Sequence, residues 1–348
     1  MYSSIRPGQV WLDTEGKRIQ AHGGSLFYEN GTYYWYGEDK EKTDGVNGIN
    51  QWGVRMYESH DLYNWKDLGD VIPPDLDDPT SPVHPSSKMD RPHIIHNRNT
   101  GKYVCWMKIM EPDGRQRSSV FTADRLTGPY TLVRKGLMPL GMSAGDYDLV
   151  VAPDGKAYYY FERVHSETIC ADLTDDYTDV TGYYSTHFPH PYPPYVREAC
   201  AHFIRRGRHY LVTSGTTGYF PNPSEVAIAD TWHGPFTVLG DPCPNDTSRT
   251  TYHSQVSSVF KVPGKKDLYI AIGDRWLPEC MDIPYEDVRL GFEYAFNPEA
   301  DPALRAAHPI PKVTYRTQIA DYVWLPFRFD GDMAYLDWKD EWRVEDYD

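Results

Sequence analysis

The chain has little that would let it bind nucleic acid, cross a membrane or hold a metal. It carries 35 Lys and Arg against 50 Asp and Glu, a formal net charge of −15 over 348 residues. The basic residues form no stripe or cluster, which argues against nucleic acid and anionic membranes as partners. No run approaches the ~18 apolar residues of a membrane-spanning helix. The five cysteines, Cys105, Cys170, Cys200, Cys243 and Cys280, are odd in number, widely spaced and form no C-x-x-C. That pattern argues against a disulfide framework or a structural zinc. No H-x-x-x-H or H-E-x-x-H spacing supports a catalytic metal, and no cofactor is expected. A structural calcium near His253 lacks supporting ligand spacing. The opening Met1-Tyr-Ser-Ser-Ile-Arg-Pro-Gly8 has no apolar leader, so a cytoplasmic location is expected, the alternative being a secreted chain trimmed of its leader. Helical periodicity is scarce, and Pro302 to Ala307 offers one turn.

What the chain has is a strand pattern that recurs five times. The copies are Gly31-Thr-Tyr-Tyr-Trp-Tyr-Gly-Glu38, Gly101-Lys-Tyr-Val-Cys-Trp-Met-Lys108, Gly155-Lys-Ala-Tyr-Tyr-Tyr-Phe-Glu162, Gly207-Arg-His-Tyr-Leu-Val-Thr-Ser214 and Lys266-Asp-Leu-Tyr-Ile-Ala-Ile-Gly273. Each is a turn followed by an aromatic and β-branched run, which is a hairpin signal. The starts lie 70, 54, 52 and 59 residues apart, the length of one four-stranded propeller blade with its loops. A second signal, a strand end, Asp, a turn and an aromatic, recurs at Ser59–Trp65, Thr122–Tyr130, Cys170–Tyr177 and Ile228–Phe236, between the third and fourth strands of each unit.

The expectation is an all-β, single-domain, five-bladed β-propeller over residues 1–348. Its blade-core strands fall near 21–38, 90–108, 146–162, 198–214 and 255–273. Closing strands fall within 313–342, with Asp330-Gly331 as a hairpin turn and both termini in the closing region. The 28 Tyr and 10 Trp suit packing between blades, and also suit sugar rings stacked on aromatic faces.

A polar residue precedes most copies at a matching phase. Asp90 lies 11 residues before Gly101, Asp146 lies 9 before Gly155 and Glu198 lies 9 before Gly207. In a propeller that phase is the start of the innermost strand, so the three carboxylates converge on the channel mouth. A carboxylate ring is suited to acid-catalysed hydrolysis of a glycosidic bond. Glu198, desolvated ahead of an apolar strand, reads either as a general acid or as a structural partner of Arg197. Asp146 reads as a second carboxylate that tunes the acid or as a turn residue, with Asp148 as a competitor on the same face. Asp90 reads as a ligand for sugar hydroxyls or water, or as a partner of Arg91. Gln255 holds the same phase in the fifth blade, where it can orient a hydroxyl or a water but cannot act as an ordinary base. In the first blade the phase falls on Ala21-His-Gly-Gly-Ser25, with no carboxylate. His22 and His253 also fall near the axis by this count. Thr213-Ser-Gly-Thr-Thr-Gly-Tyr-Phe-Pro-Asn222 reads as a sugar cradle or as a turn.

Together, Ala21-His-Gly-Gly, Tyr33-Tyr-Trp-Tyr-Gly-Glu38, Asp90-Arg-Pro, Arg197-Glu-Ala, the 213–222 string and Ser254-Gln255 resemble glycoside hydrolase family 43, most closely its exo-β-1,3-galactanase branch. The resemblance runs from about residue 20 to Trp276. It implies inversion of configuration, Glu198 as general acid and Asp146 as the residue that tunes it. The usual first-blade Asp base is replaced here by His22 or Gly23, as in that branch. There, residues matching Gln255 and a second-blade glutamate are the substitutes, and Asp90 stands one methylene short of that glutamate. Glu38, Thr216 and Gly218 match positions that contact the terminal galactose, and His22 is grouped with them as substrate-binding. The expected partner is an oligo- or polysaccharide, and the expected reaction is exo-release of galactose from β-1,3-galactan or a related β-galactoside. The alternatives are an α-L-arabinofuranosidase or β-xylosidase of the same family, and a sugar-binding propeller that does not cut.

Overall fold

The computed structural model describes all 348 residues. Twenty strands form five four-stranded antiparallel sheets, each from consecutive strands. Blade one holds β1 (His22–Glu29), β2 (Thr32–Glu38), β3 (Val54–Ser59) and β4 (Lys66–Ile72). Blade two holds β5 (Lys88–Asn97), β6 (Lys102–Met110), β7 (Gln116–Ala123) and β8 (Thr131–Leu137). Blade three holds β9 (Ala144–Val151), β10 (Ala157–Arg163), β11 (Glu167–Leu173) and β12 (Val180–His187). Blade four holds β13 (Arg197–Arg205), β14 (Arg208–Gly215), β15 (Ser224–Ala229) and β16 (Thr237–Gly240). Blade five holds β17 (Gln255–Lys261), β18 (Tyr269–Arg275), β19 (Asp321–Asp330) and β20 (Met333–Leu336). The first strands β1, β5, β9, β13 and β17 pack side by side around the axis.

The ring closes without strand exchange. No blade mixes strands from the two ends of the chain. The termini meet instead through one antiparallel bridge, Ile5 with Trp342. Residues 313–320 form no strand, so the last hairpin is β19–β20, turned at Asp330-Gly331. A helix that the sequence reading missed, α1 (Tyr285–Phe296), and the expected short turn, α2 (Pro302–Ala307), lie in an insertion between β18 and β19. The α1 signal is faint because only Val288 and Gly291 of its residues are buried.

The five seams between blades are filled mostly by aromatics and aliphatics, which accounts for the Tyr and Trp excess. The seam of blades five and one has 16 buried hydrophobic residues, including Trp35, Trp65 and Trp324, with Trp35 and Trp324 rings 4.6 Å apart. The seams four–five, one–two and two–three have 15, 14 and 14. The seam of blades three and four has only 6 and is completed by polar groups. Ser185 Oγ lies 2.9 Å from both His187 Nε2 and His233 Nδ1, and His233 Nε2 lies 2.6 Å from Asp172. Nearby, the His202 ring stacks on Tyr160 at 4.9 Å.

This seam makes folding acid-sensitive. Burial pushes His187 down to about 4, with His233 adding to the effect, and pushes His202 down to about 3, with His209 adding. Both histidines titrate near 6.5 when unfolded, so below that pH the unfolded chain takes up protons that the folded one refuses. The contribution of these two histidines should fall as pH drops from about 6.5 toward 4, by a few kcal/mol in all, against the opposite contribution of buried carboxyls with raised pKa. The difference in thermal midpoint between wild type and His187→Gln across that range checks the slope. Hydrogen exchange should show β12 and β13 losing protection first.

Candidate active site

Each innermost strand carries an irregularity near its start. Partner registers skip a residue between His22 and Ser25, Asp90 and His93, Ala144 and Tyr147, Glu198 and Ala201, and Val256 and Ser258. A bulge re-aims the side chains around it. Gly23, Arg91 and Ala199 take positive φ at three of these points, +61°, +59° and +49°. The bulges lie at one end of the channel, where the second strands of the blades terminate. Across the sheets His22 faces Glu38, Asp90 faces Lys108, Glu198 faces Ser214 and Gln255 faces Asp274. In blade three Glu162 occupies the corresponding end of β10, opposite Gly145 and Asp146. The far end of the channel opens into a separate cavity of about 670 Å³, lined by the later residues of the first strands.

The structure brings Asp90, Asp146, Glu198 and Gln255 together. Lys108 Nζ bridges two of them, 2.8 Å from Asp146 and 3.2 Å from Asp90. Arg91 does not pair with Asp90. Its guanidinium lies 2.9 Å from Asp146, donates to Ser257 at 2.9 Å and donates to the Gln255 amide oxygen. Its backbone N–H donates to Glu38 at 2.9 Å, and its carbonyl accepts from Tyr147 at 2.5 Å. Lys40, buried, lies 2.6 Å from Glu38 and 3.9 Å from Asp90.

Glu198 is not tied to Arg197, which turns to Thr213 and to Glu225 at 3.3 Å. Glu198 is 9% exposed, and its one side-chain hydrogen bond is from Gln255 Nε2 at 3.3 Å. Burial pushes its pKa well above the usual carboxylate range, and neighbouring Asp146 and Glu162 push it further. Burial also works against ionised Asp146, but Arg91 and Lys108 outweigh it and hold the group down to about 2. Two neighbouring carboxyls are therefore driven apart in pKa, one upward and one downward, the pattern that lets one carboxyl hold a proton while the other stays charged. Glu38 is pushed up to about 7 by burial, with Lys40 opposing and Asp90 adding.

Gln255 is fixed in orientation. Its amide oxygen accepts from Arg91 and from Trp276 Nε1 at 3.1 Å, while its amide nitrogen donates to Ser214 at 2.9 Å and to Glu198.

Other sequence candidates fall elsewhere. His22 is fully buried, with Nδ1 on Asp274 at 3.1 Å and Nε2 near Gln20 and Tyr322. Both ring nitrogens are occupied, so it packs the site from behind and does not face a substrate. Asp148 points away from the ring, to His93 at 3.0 Å and the backbone N–H of His202 at 2.6 Å. The 213–222 string is a braced turn, with the Asn222 amide bonded to both the N–H and the C=O of Gly215. Within it the Thr216 hydroxyl donates to Val196 at 3.0 Å, and Gly218, φ +59°, sits exposed at the rim. Nowhere do three or more His, Cys, Asp or Glu side chains group to hold a metal.

The sequence reading missed Arg91, Lys108, Lys40, Glu162 and Trp276. For two of them the signal was there. Lys108 and Glu162 end their strand repeats at the position of Glu38 and Ser214, so a second ring was written in the same register.

At the mouth of the five-bladed propeller, then, lies a buried glutamate whose pKa is raised, beside an aspartate held charged by Arg91 and Lys108. The family model for glycosyl hydrolases family 43 matches residues 19–272, and the chain belongs to that family. Among solved structures it is similar to a family 43 β-1,3-galactosidase named BT0265, with a TM-score of 0.81 and 30% identity. That alignment covers 100% of this chain and 65% of the other, so the chain spans about two thirds of that relative's length. The family 43 β-1,3-galactosidase BT3683, solved with galactodeoxynojirimycin, aligns at TM-score 0.78 and 26% identity over 98% of this chain and 100% of the other. The exo-β-1,3-galactanase of Phanerochaete chrysosporium, solved with galactose, aligns at 0.77 and 25% over 98% and 68%. No match was found among curated protein sequences.

Proposed function

We propose that the protein is an inverting, exo-acting glycosidase that releases galactose from the non-reducing end of β-1,3-galactan or a related β-galactoside. The observation that carries this reading is the Glu198–Asp146 pair, set in a fold whose similar structures are β-1,3-galactosidases and exo-β-1,3-galactanases. Glu198 donates its proton to the departing glycosidic oxygen. Asp146, kept charged by Arg91 and Lys108, supplies the negative field that keeps that proton on Glu198 until the leaving oxygen needs it.

Inversion requires water on the opposite face of the sugar and a group to take its proton, about 6.5–9.5 Å from the acid. Gln255 presents N–H groups to the site because Arg91 and Trp276 occupy its oxygen. It therefore serves as a donor that orients the acid or a hydroxyl. Asp90 is the more accessible carboxylate, with its side chain 20% exposed against 7% for Asp146. We assign it the role of accepting the water proton, with Lys108 and Lys40 fixing its position.

Purified protein with β-1,3-galactobiose, debranched arabinogalactan, aryl arabinofuranoside and aryl xyloside tests the substrate class. Free galactose as the first product supports the reading. Pentose release, or binding of the galactans without any product, overturns it.

A further inference from the structure

One buried carboxylate has no part in the mechanism above. Glu162, at the end of β10, is 2% exposed and has no cation within ion-pair distance. Its single hydrogen bond is from the His165 backbone N–H to Oε1, at 2.7 Å. Its other oxygen occupies space left by Gly145. A Cβ on that glycine would lie 2.1 Å from Oε2. Gly145 has no positive φ, so its backbone does not call for glycine; the carboxyl does. The chain thus spends a glycine, next to Asp146, to seat an unpaired carboxyl.

The groups facing Glu162 come from every neighbouring element. β9 supplies Asp146, β13 supplies Glu198 and the Cys200 thiol, β6 supplies Lys108, β11 supplies Thr168, and the turn after β10 supplies His165. Lys108 is the one cation among them, and Asp146 and Asp90 already engage it. A charge on Glu162 therefore has no counter-ion of its own.

We propose that Glu162 is a positioning residue that shares the proton load of Glu198 and so sets the upper pH limit of the acid's protonated form. This rests on the assignment of Glu198 as general acid. Burial, with Asp146 adding, pushes Glu162 itself up to about 7 while His165 and Lys108 oppose. The pair loses its protons as a unit, because charge on either member makes the second proton harder to remove. With Glu162 neutral, Glu198 feels only Asp146. With Glu162 charged, any proton on Glu198 is held more tightly, so the acid form survives to higher pH.

The test is a titration of the carboxyl carbons in ¹³C-Glu-labelled full-length protein, wild type and Glu162→Gln, with no substrate present. The Gln variant keeps an acceptor for His165 but cannot ionise. Its Glu198 midpoint should fall by about one pH unit or more, the size expected of strongly interacting sites. The alkaline limb of kcat/KM should move down in step, with the rate at lower pH retained. An unmoved Glu198 midpoint overturns the proposal, as does a rate reduced by one factor at every pH. Should the variant fail to fold, wild type alone decides: Glu162 and Glu198 must each titrate in two steps, and a single independent step for Glu198 overturns the coupling. Because the midpoint is read without turnover, an inactive wild type would refute the glycosidase reading and leave this measurement standing.

Discussion

Replacing Glu198 with Gln should lower kcat/KM on β-1,3-galactobiose by about 10²–10⁴-fold, the usual worth of a positioned general acid. The loss should shrink on aryl galactosides, whose leaving groups depart with little protonation. The fold should not suffer. The carboxyl is buried, carries a raised pKa and accepts one long hydrogen bond, so a neutral amide of the same shape removes little that stabilises the native state. The thermal midpoint should hold or rise. Equal losses on all leaving groups would mark Glu198 as structural. Steady-state kinetics on a series of aryl galactosides makes the distinction.

Replacing Arg91 with Met should have the largest effect on stability. Arg91 is 5% exposed and its side chain binds Asp146 of blade three and Gln255 and Ser257 of blade five. Removing one member of a buried ion pair leaves the other uncompensated, at a cost of about 3–5 kcal/mol. Lys108 remains on Asp146 and softens the penalty, so denaturant unfolding should place it toward the lower end. Activity should fall for a second reason. The Gln255 oxygen keeps only the Trp276 N–H, so the amide is held less firmly with its nitrogen toward Glu198. Arg91→Lys restores one charge but not the fork that reaches three partners, so it should recover stability in part and activity little. If Arg91→Met unfolds at the wild-type denaturant concentration, the guanidinium does not hold the ring together.

Much of this was legible in the chain because the propeller repeats. Period and phase located the inner strands to within a few residues and put Asp90, Asp146, Glu198 and Gln255 at one end of the channel. Pairings inside the ring were less legible. Arg91 and Arg197 sit beside their expected partners in sequence, but both point elsewhere. In a strand, neighbours face opposite sides, and the bulges add a local turn that sequence spacing does not reveal. How the ring closes was less legible, because strand exchange between the termini is one solution among several. Here the ring is held by the Trp35–Trp324 seam and one short bridge. The helix α1 buries too few residues to leave a periodic trace.

The most direct test of the central claim is the configuration of the sugar at the moment of release. Wild-type protein should be mixed with β-1,3-galactobiose in deuterated buffer and followed by proton NMR before mutarotation sets in. An acid at Glu198 with water activated across the ring requires α-galactose first and the β-anomer only later. β-Galactose appearing first would mean retention through a covalent intermediate, and would contradict the roles assigned to Glu198, Asp146 and Asp90.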